Sequence, residues 1–139
     1  MRIRSFQKTD EASVIALWER CGLIRPWNDP QRDIARKVRV QPELFLVGVL
    51  GPEVIASLMA GYEGHRGWIN YLAVVPEQQL NGWGRRLVGE AERRLAALGC
   101  PKVNLQVRAE NARALAFYRA LGYEVEDTIA LGKRLVSDR

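Results

Sequence analysis

The spacing of apolar residues changes several times along the chain and separates strand-like from helix-like stretches. Residues 2–6 alternate polar and apolar positions, which is typical of a half-buried strand. Asp29 followed by Pro30 predicts the start of a later helix, because Asp caps and Pro fits the first helical position. Between these two stretches, apolar residues recur at helical spacing, at Val14, Leu17, Trp18 and Cys21.

Three apolar runs in the middle of the chain predict an antiparallel meander. They read LFLVGVL (44–50), VIASLMAGY (54–62) and GWINYLAVV (67–75). The turn-like segments GPE and EGHR separate them, and each is short enough to reverse the chain between neighbouring strands.

After Pro76 the pattern changes to a helix that ends at Gly99, whose apolar face comprises Leu87, Ala91, Leu95 and Leu98. KVNLQV (102–107) then predicts a buried strand, which a right-handed crossover would lay beside the preceding strand. Asn111 can cap a further helix, and YEVEDTIALGKRL (123–135) predicts a closing hairpin. The pattern indicates one α+β domain over residues 1–139, with four helices and a mixed, mostly antiparallel sheet of about six to seven strands.

Composition limits the class of protein. Hydrophobic residues make up 47% and charged residues 27% of the chain, an ordinary globular balance. No apolar run is long enough to span a bilayer, and MRIRSFQKTD does not resemble a targeting segment, so we expect a cytoplasmic protein. Cys21 and Cys100 follow no metal-binding spacing, and we expect both to be reduced and structural, with no metal site.

The net charge of +5 leaves three kinds of partner open: nucleic acid, a membrane surface or a small polyanion. The basic residues are scattered, except for a group in the helix after Pro76, formed by Arg85, Arg86, Arg93 and Arg94. The chain has no basic tail and no patch of interleaved aromatic residues. Nucleic-acid binding is therefore a minor hypothesis.

The stretch QQLNGWGRR (78–86) combines two glycines with two arginines where a strand pattern becomes a helix pattern. A helix N-terminus presents unpaired N–H groups and a positive dipole end, which together favour an anion. Neither glycine precedes Lys, so the segment does not match a nucleotide P-loop. It also lacks the third glycine of the dinucleotide fingerprint. A simple tight turn explains a bare G-x-G equally well, but the order strand, turn, basic helix and strand favours a phosphate ligand.

The segment Gln79-Leu80-Asn81-Gly82-Trp83-Gly84 resembles the [RQ]-x-x-G-x-[GA] motif of GNAT-type N-acetyltransferases. The strand before it and the segments around Asn111, Phe117-Tyr118 and LGY (121–123) resemble other parts of this family in the right order. The resemblance covers nearly the whole chain. It departs at Leu80 and Asn81, where members often carry Arg or Gly, and this affects the expected affinity for phosphate rather than the assignment.

The resemblance implies acetyl-CoA as co-substrate, held where the two central strands splay apart. The pyrophosphate would lie on the N–H groups of Gln79, Leu80, Asn81, Gly82, Trp83 and Gly84, with Arg85 nearby. The pantetheine arm would run along Leu72, Ala73 and Val74, and an N–H group near Leu72 or Ala73 would polarise the acetyl carbonyl. Asn111 would hold the cofactor or the helix start, and Tyr118 would approach the sulfur.

Candidate catalytic residues follow from the chemistry of amine acetylation. Tyr118 is the predicted general acid for the leaving thiolate, although its spacing with Leu115 and Leu121 also suits a core tyrosine. Glu63, acting through water, is the predicted base, and a reaction without a dedicated base is nearly as well supported. His65 fits a solvated turn residue.

For the acceptor, candidate contacts are Trp27, Asp29 and Asn70. Trp27 equally suits loop packing, and Asp29 suits a helix cap. Asn70 and Tyr71 are neighbours on the central strand, where we expect one of them to face the substrate.

The sequence therefore predicts an enzyme that moves an acetyl group from acetyl-CoA to a primary amine of a small molecule, peptide or protein. The alternative is an acyl-CoA-binding sensor module with little or no turnover. The acceptor stays open, and so does a homodimer.

Overall fold

The computed structural model of the protein describes residues 1–139. The chain forms five strands. They are β1 (Arg2–Ser5), β2 (Phe45–Leu50), β3 (Glu53–Tyr62), β4 (Gly67–Val74) and β5 (Val103–Leu105). The four helices are α1 (Glu11–Arg20), α2 (Pro30–Lys37), α3 (Trp83–Ala97) and α4 (Ala112–Ala120).

Local chemistry sets two of the helix starts in the way that the sequence predicts. The Asp29 side chain accepts hydrogen bonds from the N–H groups of Gln31 and Arg32, and Pro30 occupies the first position of α2. The Asn111 side chain likewise accepts from the N–H group of Ala114 at the start of α4. Both caps satisfy donors that the helices cannot pair internally.

The sheet has the order β1-β2-β3-β4-β5. Strands β1 to β4 pair antiparallel with their neighbours, which confirms the predicted meander. Strand β5 pairs parallel with β4, as expected for a strand that returns after a crossover helix. The result is a mixed sheet in a single α+β domain.

Helices cover both faces of this sheet and bury one apolar core. On one face, Trp18 of α1 is fully buried against β3 and β4. On the other, Leu87 and Leu95 of α3 are fully buried. A Cβ added to Gly67 of β4 would lie 3.2 Å from the Leu95 side chain, so α3 packs close to β4.

The predicted C-terminal hairpin is wrong, and the strand count is five rather than six to seven. Residues 124–139 form neither helix nor strand. Ile129, Leu131 and Leu135 are almost fully exposed, so this segment buries no apolar face against the sheet. Its contacts are polar instead: Asp138 accepts hydrogen bonds from the Arg36 side chain and the Asp29 N–H group. A hairpin depends on a buried face, which these residues do not have here.

Candidate functional site

Strands β4 and β5 separate part-way along their length. Their last paired residues are Ile69 and Leu105. Strand β4 continues to Val74, whereas β5 ends at Leu105. The sheet is therefore open on the β5 side of residues 70–74, and the predicted splay between the two central strands is confirmed.

A β-bulge lies at the start of this opening. Ser57 of β3 pairs with Ala73, and Met59 pairs with Asn70, so two residues of β4 lie opposite one of β3. Those two residues, Tyr71 and Leu72, have no register partner in either neighbouring strand. Tyr71 has a φ of 53°, which is left-handed and unusual for a bulky residue. We call residues 70–72 the β4 bulge.

The β4 bulge changes which way side chains point. In a regular strand, successive side chains alternate between faces, so Asn70 and Tyr71 would lie on opposite faces. Asn70 lies opposite Met59 on the face of α1, and the Tyr71 ring stacks on Trp18 of α1 at 3.9 Å between ring centroids. Both residues therefore face α1, whereas the sequence predicts only one there.

The segment between β4 and α3 carries a row of free backbone donors. The N–H groups of residues 80–85 donate no hydrogen bond to another group of the protein. Leu80 and Gly82 both have left-handed backbones, with φ values of 67° and 80°. Successive N–H groups in such a conformation form a concave anion-binding surface, which the helix dipole reinforces. We call residues 79–85 the donor turn.

The two glycines of the donor turn have different roles. Gly82 caps α3 in a left-handed conformation that favours glycine, and nothing lies within 4 Å of a Cβ added there. A Cβ on Gly84 would instead lie 3.2 Å from the Phe117 ring of α4. Gly82 therefore shapes the turn, and Gly84 lets α3 and α4 approach each other.

Side chains tie the donor turn to the strand before it. The Gln79 side-chain amide donates to the Val74 carbonyl at 2.9 Å, at the end of β4. The side-chain oxygen of Gln78 accepts from Asn81 and from the indole N–H of Trp83. Arg85 is exposed, and the first turn of α3 contains no acidic residue. The donor turn thus adjoins the splay at the end of β4 and carries positive charge there.

Comparisons with known proteins agree with this geometry. Residues 11–123 match the model of the Acetyltransferase (GNAT) family. The chain belongs to the GNAT acetyltransferase family. An acetyltransferase of Yersinia enterocolitica is 48% identical over 139 residues, covering 100% of this chain and 99% of the relative.

Solved structures of this family share the fold. Ard1 from Thermoplasma volcanium superposes with a TM-score of 0.81 at 24% identity, covering 90% of this chain and 83% of its own. An aminoglycoside N-acetyltransferase in complex with CoA superposes with a TM-score of 0.75 at 18% identity, covering 96% and 99%. At these identities the likeness concerns the fold.

Tyr118 of this GNAT protein lies in the last turn of α4. Its ring packs edge-on against Phe117 at 5.0 Å and against Tyr123 at 5.6 Å between ring centroids. Burial raises the pKa of the Tyr118 hydroxyl to about 12, so the group is protonated at neutral pH. Its neighbour Phe117 reaches Gly84, so α4 connects the donor turn with β5.

One cavity lies outside the splay. It is a groove of about 640 Å³ along β5, closed by α4 and by residues 121–130, and no residue of β4 lines it. Tyr118 lines this groove. The protein thus has an open space beside β5 and α4, and Tyr118 borders it.

Glu63 lies at the opposite end of β4 from the donor turn. Its carboxylate accepts hydrogen bonds from the N–H groups of His65 and Arg66, which close the β3–β4 turn. The bond from Arg66, and to a smaller extent that from His65, lowers the pKa of Glu63. The rise of a strand puts Gly67 roughly 13 Å from Tyr71, and Glu63 lies beyond Gly67. The observed contacts favour a role in the turn, and its catalytic role stays a prediction.

The predicted acceptor residues lie around the α1–α2 loop and β4. Trp27 is 39% exposed, and the guanidinium of Arg108 lies 5.7 Å from its ring centroid. This contact joins the loop to the segment after β5. Asn70 is exposed on β4. Asp29 uses its side chain to cap α2, and its N–H group donates to Asp138, so its polar groups already have partners.

Sequence reasoning missed two polar side chains beside the β4 bulge, Ser57 and Asp33. Ser57 is fully buried and donates to the Tyr71 carbonyl at 3.1 Å. The Tyr71 hydroxyl donates to the Asp33 carboxylate at 2.7 Å. A lone serine inside an apolar strand is a signal for Ser57, because buried polar groups need partners. No comparable pattern in the sequence points to Asp33.

No group of three or more His, Cys, Asp and Glu side chains is arranged to hold a metal ion. None of the helices combines the length and the apolar character that crossing a bilayer requires.

Proposed function

We propose that this GNAT acetyltransferase moves an acetyl group from acetyl-CoA to a primary amine of a small molecule, a peptide or a protein. The observation that carries the proposal is that two features adjoin at the end of β4. The free donors of residues 80–85 follow β4 directly, and the splay lies beside the β4 bulge. A CoA thioester has the two parts that such an arrangement suits, a pyrophosphate and an extended arm.

The chemistry of the donor set fits the parts of CoA. Free N–H groups with a helix dipole suit the pyrophosphate, and Arg85 adds a mobile positive charge at the rim. The backbone of Leu72 to Val74 has no partner strand on the β5 side, so its polar groups suit the amides of the pantetheine arm. The aminoglycoside N-acetyltransferase noted above, which is similar in fold, is a complex with CoA, which supports this assignment. Asn111 would contribute by fixing the start of α4.

Acetyl-CoA supplies a thioester whose acetyl carbon a neutral amine can attack while the thiolate leaves. The residues of this chain would orient the thioester and polarise its carbonyl group. An N–H group at Leu72 or Ala73 would donate to the carbonyl oxygen as negative charge develops there. A preorganised donor of this kind typically accelerates acyl transfer by about 10²–10³.

Tyr118 would act at the leaving sulfur. A thiol has a pKa of about 8.5, whereas the pKa of Tyr118 is about 12, so complete proton transfer to the thiolate is uphill by roughly three to four powers of ten. A strong hydrogen bond from the phenol to the thiolate avoids that cost and still stabilises the leaving group. We therefore propose that Tyr118 works chiefly as a hydrogen-bond donor, with the proton following later from solvent.

The acceptor would approach from the face of α1. Asn70 points to this face beside the β4 bulge, and Trp27 lies on the loop that joins α1 to α2. For the proton that leaves the amine, water is sufficient when the amine arrives neutral. Glu63 acting through water is the alternative base.

The test combines binding with turnover. Isothermal titration measures the affinities for acetyl-CoA and CoA. Release of free thiol over a panel of amines measures acetyl transfer. We expect binding of acetyl-CoA together with thiol release that depends on an added amine. Absence of acetyl-CoA binding would contradict the proposal.

The second candidate is an acyl-CoA sensor with little or no turnover. One observation favours it: Glu63, the predicted base, lies with His65 in the β3–β4 turn, away from the bulge. Binding of acetyl-CoA without thiol release for any amine in the panel would favour the sensor.

A further inference from the structure

Ser57 is a polar residue in the centre of an apolar core. It has no exposed surface, and the other buried polar residue, Asp10, pairs with Arg4 at the edge of the sheet. Both neighbours of Ser57 in β3, Ala56 and Leu58, are also fully buried. A hydroxyl in such a place is unfavourable unless it is hydrogen-bonded, so its partners indicate its role.

The partners of Ser57 fix the direction of its hydrogen bonds. The indole N–H of Trp18 is only a donor, so the Ser57 oxygen accepts from it, at 2.9 Å. The single hydroxyl proton of Ser57 is then directed to the Tyr71 carbonyl at 3.1 Å. Trp18, Ser57 and Tyr71 therefore form one ordered chain of bonds that ends on the backbone of the β4 bulge.

Tyr71 is held at three points in a conformation that it would otherwise avoid. Its carbonyl accepts from Ser57, its ring stacks on Trp18, and its hydroxyl donates to Asp33. A left-handed backbone is unfavourable for a residue of this size, so the surroundings must impose it. Because the Tyr71 carbonyl and the Leu72 N–H group belong to the same peptide plane, fixing one also fixes the other.

We propose that Ser57 is a positioning residue for acetyl transfer: through the Tyr71 carbonyl it orients the Leu72 N–H group toward the acetyl carbonyl. The inference rests on the proposed function. Ser57 itself is buried in β3, the strand next to β4, and would not contact the substrate. Its hydroxyl sets the plane of one peptide, and that plane determines whether the bulge offers a donor in the splay.

The test compares Ser57→Ala with Ser57→Thr, which keeps a hydroxyl, and with Leu95→Ala, a core truncation in α3 that lies against Gly67, at the other end of β4 from the bulge. Leu95 is fully buried, so it controls for loss of stability. For each protein, thermal unfolding, kcat, KM for acetyl-CoA, and the affinities for acetyl-CoA and CoA are measured. CoA lacks the acetyl carbonyl, so the ratio of the two affinities reports on the bulge donor without turnover.

We expect Ser57→Ala to lower kcat by about ten- to hundredfold, since small misplacements of a catalytic donor have effects of this size. KM should change little, and the preference for acetyl-CoA over CoA should fall. Ser57→Thr should recover most of kcat, and Leu95→Ala should lose stability with kcat retained. If the methyl group of Thr prevents folding, Ser57→Cys supplies the conservative variant.

A Ser57→Ala protein that loses stability but keeps both kcat and the affinity ratio would overturn the positioning role. That result would mean that the hydroxyl contributes only to the stability of the core. If the unchanged protein binds neither acetyl-CoA nor CoA, the proposed function fails as well. The binding measurement on the unchanged protein therefore separates the two failures.

Discussion

The donor turn and the β4 bulge are close neighbours along the chain, yet different kinds of interaction hold them. The donor turn consists mainly of backbone: left-handed Leu80 and Gly82 present N–H groups, and the Leu80 side chain is 92% exposed. The β4 bulge depends on side chains, because Ser57 and Trp18 hold the backbone of Tyr71 from within the core.

This difference suits the two proposed tasks, phosphate binding at the donor turn and oxyanion stabilisation at the β4 bulge. A phosphate needs several donors and tolerates small shifts, so a turn of suitable conformation is sufficient. In the proposed reaction a developing oxyanion needs one donor at a defined position, and the proposed donor belongs to a peptide that packed, buried groups hold. Changes in the donor turn should therefore act on binding, and changes around the bulge and α4 should act on turnover.

The largest effect should come from Tyr118→Phe, which removes only the phenolic oxygen. Without the hydrogen bond to the leaving thiolate, we expect kcat to fall by about 10²-fold or more, with acetyl-CoA affinity nearly unchanged. Because burial raises the pKa of Tyr118 to about 12, deprotonation should not lower kcat of the unchanged protein as the pH rises to about 10. Steady-state kinetics against pH checks both statements. Unaltered turnover in Tyr118→Phe would remove the residue from the reaction.

The next effect should come from Gly82→Ala in the donor turn, with Gly89→Ala in the same helix as its matched control. Gly82 has a φ of 80°, where a Cβ is unfavourable by about 1–2 kcal/mol, so the turn should relax and misalign its donors. We expect acetyl-CoA affinity to fall about tenfold, with kcat at saturation retained. Gly89 has an open helical position, and its change should raise stability by about 0.5–1 kcal/mol. A larger loss of kcat than of affinity in Gly82→Ala would contradict the view that the donor turn acts on binding alone.

A smaller effect on binding is expected for Arg85→Ala, compared with Arg93→Ala further along α3. Arg85 is exposed at the rim of the donor turn, so it should contribute about threefold in affinity, and less at high salt. Arg93 pairs with Glu90 and should leave affinity unchanged. Titrations at two salt concentrations measure the difference. Equal effects of both variants would indicate general attraction by a basic helix.

The smallest effect on turnover is expected for Glu63→Gln. Its carboxylate stabilises the β3–β4 turn through two backbone N–H groups, so stability should fall slightly while kcat changes less than about twofold. Thermal unfolding and kinetics on the same preparation check this. A large loss of kcat, with stability retained, would restore Glu63 as the base.

Much of the fold follows from the sequence because local rules agree with the tertiary structure. The apolar runs of β2 to β4, the Asp29 and Asn111 caps and the crossover to β5 are all as predicted. The C-terminal hairpin is not, because alternation in residues 123–135 indicates a strand only where a buried face exists. Ile129 and Leu131 are exposed instead.

The candidate site likewise has one part that the sequence predicts and one part that it does not. The donor turn is readable because its glycines and its place after a strand are local signals. The β4 bulge is not, since the pairing of Ser57 with Ala73 and of Met59 with Asn70 depends on how two strands align. Neither periodicity nor composition reveals that Tyr71 turns to the face of α1.

The bulge also makes β4 one residue longer than its partner strand over the same span. Between the pairs Met59–Asn70 and Ser57–Ala73, removing Tyr71 would leave a regular ladder, with Leu72 opposite Leu58. A one-residue deletion ordinarily moves the rest of a strand to the wrong face. At this position the flanks would stay in register, so the fold can persist when the chemistry is lost.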